Sequence, residues 1–255
     1  MPTPTIKERI ARCAAWPERC SPDQWAIYKA VIAEANRRGL RFAVGGGLAA
    51  MAYAGQWRNT KDIDLYIPES ERDRMIGVVT DTGLEDYFEK QPYDRNWIYR
   101  SYKNDTIVDL IWAMANRRSV VDTSWFRGPQ VEVDGERFGL LAPEEELWSK
   151  LYVLQRDRCD WPDALNLIYG VGLELDWRHL LARVENDAPL VAALVSIFAW
   201  LCPERAREFP SWIWKELRAG PPQSAPASDI AGRHARLLDS RPWFTPMLDE
   251  QDAGG

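Results

Sequence analysis

Apolar residues recur at intervals of three or four positions after Ser21, the spacing that lines one face of an α-helix. Ser21 suits the N-cap of that helix and Pro22 suits its first position. Together they predict a helix that begins at Pro22 and ends near Gly39, preceded by a short helix over residues 4–16. The apolar face would consist of Trp25, Tyr28, Val31, Ile32 and Ala35.

Shorter apolar runs upstream of residue 141 alternate with polar positions and predict β-strands. One pair of runs forms a hairpin around Lys103-Asn104-Asp105, and another turns at Asp134-Gly135. Helices are predicted between the strands over residues 48–54 and 68–79. The predicted strands are residues 41–45, 62–67, 97–102, 105–112 and 129–140.

From Pro143 onward the hydrophobic pattern is helical, over residues 143–156, 161–169, 176–185, 188–201 and 210–218. The polar end of the chain is expected to be loosely ordered, with local docking of Trp243 and Phe244 left open. The expected fold class is α+β, a mixed sheet with flanking helices followed by a C-terminal helical bundle. The expected parts are residues 1–141, 142–220 and 221–255.

The composition is that of an ordinary globular protein, with 46% hydrophobic and 27% charged residues among 255. A net charge of −6 argues against a broadly basic surface and leaves a local basic patch open. No run of about 18 apolar residues occurs, and the N-terminus has no apolar signal core. A cytoplasmic protein without a membrane span is therefore expected.

Cysteine and histidine supply no pattern typical of a metal site or a nucleophile. His179 and His234 are too few and too far apart in sequence for a zinc site or a Ser-His-Asp triad. Thirteen tryptophans are interpreted as packing residues, with an exposed platform for stacking bases as the alternative. The cysteines, interpreted as free thiols, are Cys13, Cys20, Cys159 and Cys202.

Two aspartates interrupt an otherwise apolar strand. Asp62 and Asp64 are two residues apart, so their side chains share one face of the strand, at a Cα separation of roughly 6.5 Å. Two like charges there repel each other unless a cation lies between them. Mg²⁺ commonly binds one or two carboxylates together with substrate phosphates. An Asp-x-Asp pair is also common at strand ends and turns, where it has no ligand.

Two further features make the pair more specific. Asp109 lies in the apolar segment TIVDLIWA, where a lone charge is costly to bury unless it faces the same cleft. Three carboxylates suffice for two metal ions about 3.5–4 Å apart, the arrangement used in nucleotidyl displacement. Gly46 and Gly47 follow a strand and open a helix, where backbone N–H groups can approach a phosphate, although such a run also fits a plain tight turn.

The order of these motifs resembles that of the nucleotidyltransferase superfamily, the DNA polymerase β-like fold. That pattern is Gly46-Gly47, then Asp62-Ile63-Asp64, then Asp109 on a later strand, over roughly residues 41–112. The resemblance implies an enzyme that uses an NTP and Mg²⁺, with two ions expected. It implies that Asp62, Asp64 and Asp109 bind metal and act in catalysis, and that the two glycines bind the β- and γ-phosphates.

The helical half resembles bacterial nucleotidyltransferases of the abortive-infection and toxin type. Lys150 matches a lysine thought to contact the triphosphate, and it is followed by Arg156 and Arg158 and then by Asp160 and Asp163. Asp160 matches an aspartate that helps the active site, although Cys159 breaks the usual Arg-Asp order. Lys150 also makes physical sense as a cation near phosphates, and pairing with the glutamate four residues earlier is the alternative.

Arg58 and Thr60 lie just before the aspartate pair, where they can contact phosphate or simply pair locally. The expected reaction is transfer of an NMP from an NTP to an acceptor hydroxyl. The resemblance to toxin-type enzymes implies a tRNA or protein acceptor and a possible cognate toxin or antitoxin partner. Alternatives are a resistance-type enzyme that modifies a small-molecule antibiotic, and a non-catalytic antitoxin or scaffold of the same fold.

Overall fold

A computed structural model of the protein describes residues 4–58, 60–155 and 158–217, apart from the side chains of residues 203 and 204. The predicted end of the chain over 221–255, with His234, Trp243 and Phe244, lies outside the described residues. The strands are β1 (Ala43–Gly45), β2 (Asp62–Tyr66), β3 (Glu85–Asp86), β4 (Ile98–Lys103), β5 (Thr106–Ile111), β6 (Gln130–Val133) and β7 (Glu136–Leu140).

The strands form one seven-stranded mixed sheet in the order β3-β4-β5-β2-β1-β7-β6. At its centre β2 runs parallel to β5 and antiparallel to β1. Both hairpins that the sequence predicted are present, as β4–β5 and β6–β7. The sheet and its flanking helices confirm the predicted fold class.

Eleven α-helices are described. The first five are α1 (Ile6–Ile10), α2 (Trp16–Arg19), α3 (Pro22–Arg37), α4 (Gly46–Ala54) and α5 (Arg72–Asp81). The others are α6 (Pro143–Leu151), α7 (Trp161–Val171), α8 (Trp177–Val184), α9 (Ala188–Leu201), α10 (Pro203–Arg207) and α11 (Ser211–Glu216). Short 3₁₀ turns cover Ala11–Ala15, Glu69–Glu71, Tyr87–Glu89, Thr123–Arg127 and Glu185–Asp187.

Several predicted boundaries were wrong. The predicted helix over residues 4–16 divides at a 3₁₀ turn, and the helix predicted from residue 143 ends at Leu151 instead of residue 156. A 3₁₀ turn precedes α5, so that helix begins at Arg72 instead of residue 68. The sequence pattern missed β3 and α10, which at two and five residues are too short for a periodic signal.

Local chemistry explains the elements next to the glycines. The hydroxyl of Ser21 accepts a hydrogen bond from the Gln24 N–H and caps α3 as predicted. Helix α4 begins directly after β1 and ends at Gly55, which is left-handed at φ 70°. Arg9 and Arg12 donate side-chain hydrogen bonds to the carbonyls of Ala54 and Gly55, at 2.7 and 3.1 Å, which satisfies the last carbonyls of α4.

The chain divides into two compact units, Met1–Glu146 and Leu147–Gly255. In the first unit the central strands bury their apolar residues completely or nearly so, among them Ile63, Leu65, Val108 and Leu110. In the second unit the apolar sides of α7, α8 and α9 supply the core, including Leu167, Leu180, Leu194 and Phe198.

Residues Trp177–Leu201 are apolar and long enough to cross a membrane by length and composition alone. The sequence pattern had predicted two separate helices here, and the structure has α8 and α9 joined by a 3₁₀ turn. Glu185, at the end of α8, has a positive φ of 48°. The longer helix, α9, has 14 residues and spans about 21 Å, less than the ~30 Å hydrocarbon core. This stretch is therefore weak evidence for a membrane span.

Candidate active site

The strand register brings two of the predicted aspartates side by side. Asp64 of β2 pairs with Asp109 of the parallel strand β5, so both side chains lie on the same face of the sheet. Asp62, two residues before Asp64, shares this face. Asp109 is almost fully buried, with 1% of its surface exposed. The three carboxylates that the sequence singled out therefore share one face of two adjacent strands.

Asp64 lies directly against the first glycine of α4. Gly46 has a φ of 58°, and a Cβ atom at this position would lie only 1.7 Å from Asp64 Oδ2. A side chain at Gly46 is therefore excluded both by the left-handed backbone and by the carboxylate. The turn between β1 and α4 leaves room for the aspartate because it is made of glycine.

Asp62 is held through a short chain of hydrogen bonds that begins on α3. The amide Nε2 of Gln24 donates to the Tyr28 hydroxyl at 2.8 Å and to the Thr60 carbonyl at 2.7 Å. The Thr60 hydroxyl then donates to Asp62 Oδ1 at 2.6 Å. Burial raises the pKa of Tyr28, and the charges of Asp62 and Asp64 raise it further, so its hydroxyl stays protonated beside the carboxylates.

Asp109 has a cationic partner that the sequence pattern did not indicate. Arg100 of β4 lies directly across from Asp109 in the antiparallel β4–β5 pair. Its Nε donates to Asp109 Oδ1 at 2.9 Å and its Nη2 donates to Oδ2 at 2.6 Å. The hydrogen bonds to Asp109 raise the pKa of Arg100, burial opposes this, and the charges of Asp109, Asp62 and Asp64 add to it. The bidentate geometry is the strongest form of such a pair.

The predicted phosphate-binding residues lie together beside these aspartates. A Cβ atom at Gly47 would lie 3.3 Å from the Thr60 hydroxyl and 3.7 Å from Nη2 of Arg58. Gly46 instead donates its backbone N–H to Glu146 Oε2, at 2.9 Å. Glu146 is fully buried, and its carboxylate fastens the start of α4 to the first turn of α6.

The remaining predicted residues belong to the second unit. The Lys150 ammonium, with 5% of the residue exposed, donates to Asp163 at 3.2 Å and to Asp160 at 3.4 Å. Arg158 also contacts Asp160, at 3.4 Å. Arg156 lies outside the described residues. Lys150 and Asp160 thus contact each other, as members of one ionic cluster around the buried ammonium.

The carboxylates on β2 fit a magnesium ion better than the full set of three does. Asp62 and Asp64 offer hard oxygen ligands on one face, and the Asp64 carboxylate fills the space beside Gly46. Both oxygens of Asp109 accept hydrogen bonds from Arg100. Among residues 4–58, 60–155 and 158–217, no group of three or more His, Cys, Asp or Glu residues is arranged to hold a metal ion.

No protein family model matches the sequence, and no curated protein matches it. Among solved structures, the chain is similar to the antibiotic-resistance factor ANT(2'')-Ia in solution, at 20% identity and a TM-score of 0.47, over 74% of this chain and 100% of that one. It is also similar to the lincosamide antibiotic adenylyltransferase LnuA with lincomycin bound, at 15% identity and a TM-score of 0.42, over 56% of this chain and 94% of that one.

A third similar structure is a nucleotidyltransferase-like protein from Paracoccidioides brasiliensis, at 15% identity and a TM-score of 0.43, over 74% of this chain and 92% of that one. At such scores the similarity assigns no family, so the function is inferred below from the residues of the site. The toxin or antitoxin partner that the sequence resemblance implied finds no support in these similarities.

Proposed function

We propose that the protein is a Mg²⁺-dependent nucleotidyltransferase that moves an NMP from an NTP to an acceptor hydroxyl and releases pyrophosphate. The observation that supports this most directly is the contact between Asp64 and Gly46. It places a carboxylate pair and the first turn of a helix at one point of the sheet, where metal and phosphate would be bound together.

Each residue of the site has a proposed role. Asp62 and Asp64 would hold Mg²⁺, whose positive charge offsets the charge that develops on the phosphates. The first turn of α4, at Gly46 and Gly47, would receive the phosphates of the NTP. Because the Gly46 N–H already donates to Glu146, we assign the closer phosphate contacts to Gly47.

Arg58 and Thr60 lie beside Gly47 and complete this phosphate site. Arg58 supplies a fixed positive charge, and Thr60 orients Asp62 through its hydroxyl. Lys150 and Asp160 are assigned to the nucleotide site on the sequence resemblance alone, because they lie in the second unit.

We propose that Asp109 binds the acceptor hydroxyl. Its position next to Asp64 supports this assignment, and Arg100 donates hydrogen bonds to both of its oxygens. The carboxylate would accept a hydrogen bond from that hydroxyl and orient it toward the α-phosphate. We also propose that Asp109 contributes to metal binding once substrate is present.

The test is transfer of label from each of the four α-labelled NTPs in the presence of Mg²⁺. Total RNA, a cell lysate and a panel of antibiotics serve as acceptors, and Asp64→Asn is compared with Asp73→Asn, which changes an exposed aspartate on α5. Label that reaches one acceptor with the wild type and Asp73→Asn, and not with Asp64→Asn, supports the proposal.

Two results would overturn it. One is full transfer by a well-folded Asp64→Asn protein, which would show that the site assignment is wrong. The other is the absence of both transfer and Mg²⁺-NTP binding by calorimetry, which would favour a non-catalytic scaffold. A protein of either kind would still have the fold described above.

A further inference from the structure

A second concave site lies beside the candidate active site, within the first unit. It is an open groove with a volume of about 660 Å³, bounded by α2 and α3 on one side and by the β4–β5 hairpin on the other. Of the predicted site residues, Thr60 lines it. We call it the hairpin groove, and its lining includes Arg19, Trp57, Lys61, Tyr87, Lys90 and Tyr102.

The hairpin groove is basic although the whole chain is acidic. Its lining contains three cations, from Arg19, Lys61 and Lys90, against one carboxylate, from Asp105. The groove therefore has a formal charge of +2 in a chain whose net charge is −6. A concave basic surface on an acidic protein selects for an anionic ligand.

Aromatic rings hold two of these cations at the groove. The guanidinium of Arg19 lies 5.8 Å from the centroid of the Trp57 ring, and the Lys90 ammonium lies 3.5 Å from that of Tyr102. Tyr87 meets Tyr102 edge to face, with centroids 5.6 Å apart. Rings interleaved with cations are the surface that proteins use to bind single-stranded nucleic acid, where bases stack on rings and cations follow the backbone.

The groove adjoins the candidate active site through side chains already described. Thr60 lines the groove and its hydroxyl donates to Asp62. Ile107, also in the lining, is the register partner of Asp62. On the other side, the Tyr87 ring lies 5.9 Å from the guanidinium of Arg100, which holds Asp109. A chain bound along the groove would thus reach the aspartates at one end.

From this arrangement we infer that the hairpin groove binds single-stranded RNA and presents its terminal hydroxyl to the aspartate site as the acceptor. The binding of RNA is inferred from the groove alone. The role of that RNA as the acceptor rests on the proposed function. It also disfavours a polycationic acceptor such as an aminoglycoside, because three cations line the approach. Asn104 and Asp105 add polar groups that can bond ribose hydroxyls.

The test measures fluorescence anisotropy of a short 5'-labelled single-stranded RNA with the full chain, without NTP, across a range of salt concentrations. The groove variant is Lys61→Ala/Lys90→Ala. The matched control is Lys7→Ala/Arg41→Ala, which also removes two exposed cations of the first unit, outside the groove. Arg41 also lies over a ring, that of Phe126 at 5.6 Å, as Arg19 does over Trp57.

We expect the wild type and the control to bind RNA with the same salt dependence. In the groove variant, the slope of log K against log salt should fall by about 1.4, since each lost contact with a single strand removes ~0.7. Trp57→Leu removes a ring and no charge, so it should weaken binding about tenfold and change the slope less than the groove variant does. A single-stranded DNA of the same sequence tests the contribution of the 2'-hydroxyl.

Two binding results would overturn the inference: no binding of RNA by the wild type, or equal binding by the groove variant and the control. Label transfer is measured in parallel, so that failure of the RNA inference can be told apart from failure of the proposed function. If label reaches a protein or an antibiotic and the groove variant transfers it equally well, the RNA inference is wrong and the proposed enzyme stands. If RNA binding depends on the groove but neither transfer nor Mg²⁺-NTP binding is found, the proposed enzyme is wrong and the groove remains an RNA site.

Discussion

Gly46 and Asp64 occupy adjoining space so closely that a Cβ atom on the glycine would lie 1.7 Å from the aspartate Oδ2. Gly46→Ala therefore has to displace the carboxylate or the turn, and we expect Mg²⁺-NTP binding to fall at least tenfold. Calorimetry with Mg²⁺ and an NTP measures this. The Asp64 carboxylate can move only by rotation of its short side chain, because the backbone of Asp64 lies in the central strand of the sheet.

Gly39→Ala is a matched control for Gly46→Ala. Gly39 has a φ of 63°, close to the 58° of Gly46, but a Cβ atom there would have nothing within 4 Å. Both variants should lose on the order of 1 kcal/mol of stability from the strained backbone. Only Gly46→Ala should also lose affinity for Mg²⁺-NTP. If the two variants bind Mg²⁺-NTP equally well, the proposed cradle around Asp64 is wrong.

Asp64→Asn should abolish transfer while the protein remains as stable as the wild type or becomes slightly more stable. Asp62 and Asp64 are like charges on one face of β2, and removing one of them relieves their repulsion. Thermal unfolding without metal measures the stability, and added Mg²⁺ should raise the unfolding temperature of the wild type alone. A substantial loss of stability in the variant would show that Asp64 is a structural residue.

Arg100→Met should destabilise the first unit by on the order of 3 kcal/mol, because it leaves the buried carboxylate of Asp109 without its guanidinium. The double variant Arg100→Met/Asp109→Asn removes the charge as well and should recover much of this loss. Urea unfolding of the wild type, both single variants and the double variant gives the coupling energy. A coupling near zero would mean that the pair contributes nothing to the fold.

Lys150 can be tested for its two roles separately. Its buried ammonium contacts Asp160 and Asp163, which are only partly buried, so Lys150→Met should destabilise the chain by about 2 kcal/mol. Lys150→Met/Asp163→Asn should recover part of that stability. If Lys150 contacts the triphosphate, the double variant still has a raised KM for NTP. A normal KM in this stable variant would restrict the lysine to the ionic cluster, and Lys215→Ala, on α11, serves as the charge control.

The sequence by itself determined the elements and the candidates for chemistry. Alternation placed Asp62 and Asp64 on one face of a strand, since side chains on a strand point to opposite sides in turn. The apolar surroundings of Asp109 marked it as a charge that needs a reason to be buried. The hairpin turns and the Ser21 cap were readable as well, because turns and caps depend on residues close together in the chain.

Only the tertiary structure decided how those residues are joined. Asp64 neighbours Asp109 because β2 and β5 pair in parallel with that register, and a register between distant strands leaves no mark in local periodicity. The same reason hid Glu146, which fastens Gly46 to α6. Arg100 is different, because it faces Asp109 across the predicted β4–β5 hairpin, whose turn at Asn104-Asp105 fixes that register. Contacts between residues far apart in sequence are set by packing, and packing assembled both the aspartate site and the hairpin groove.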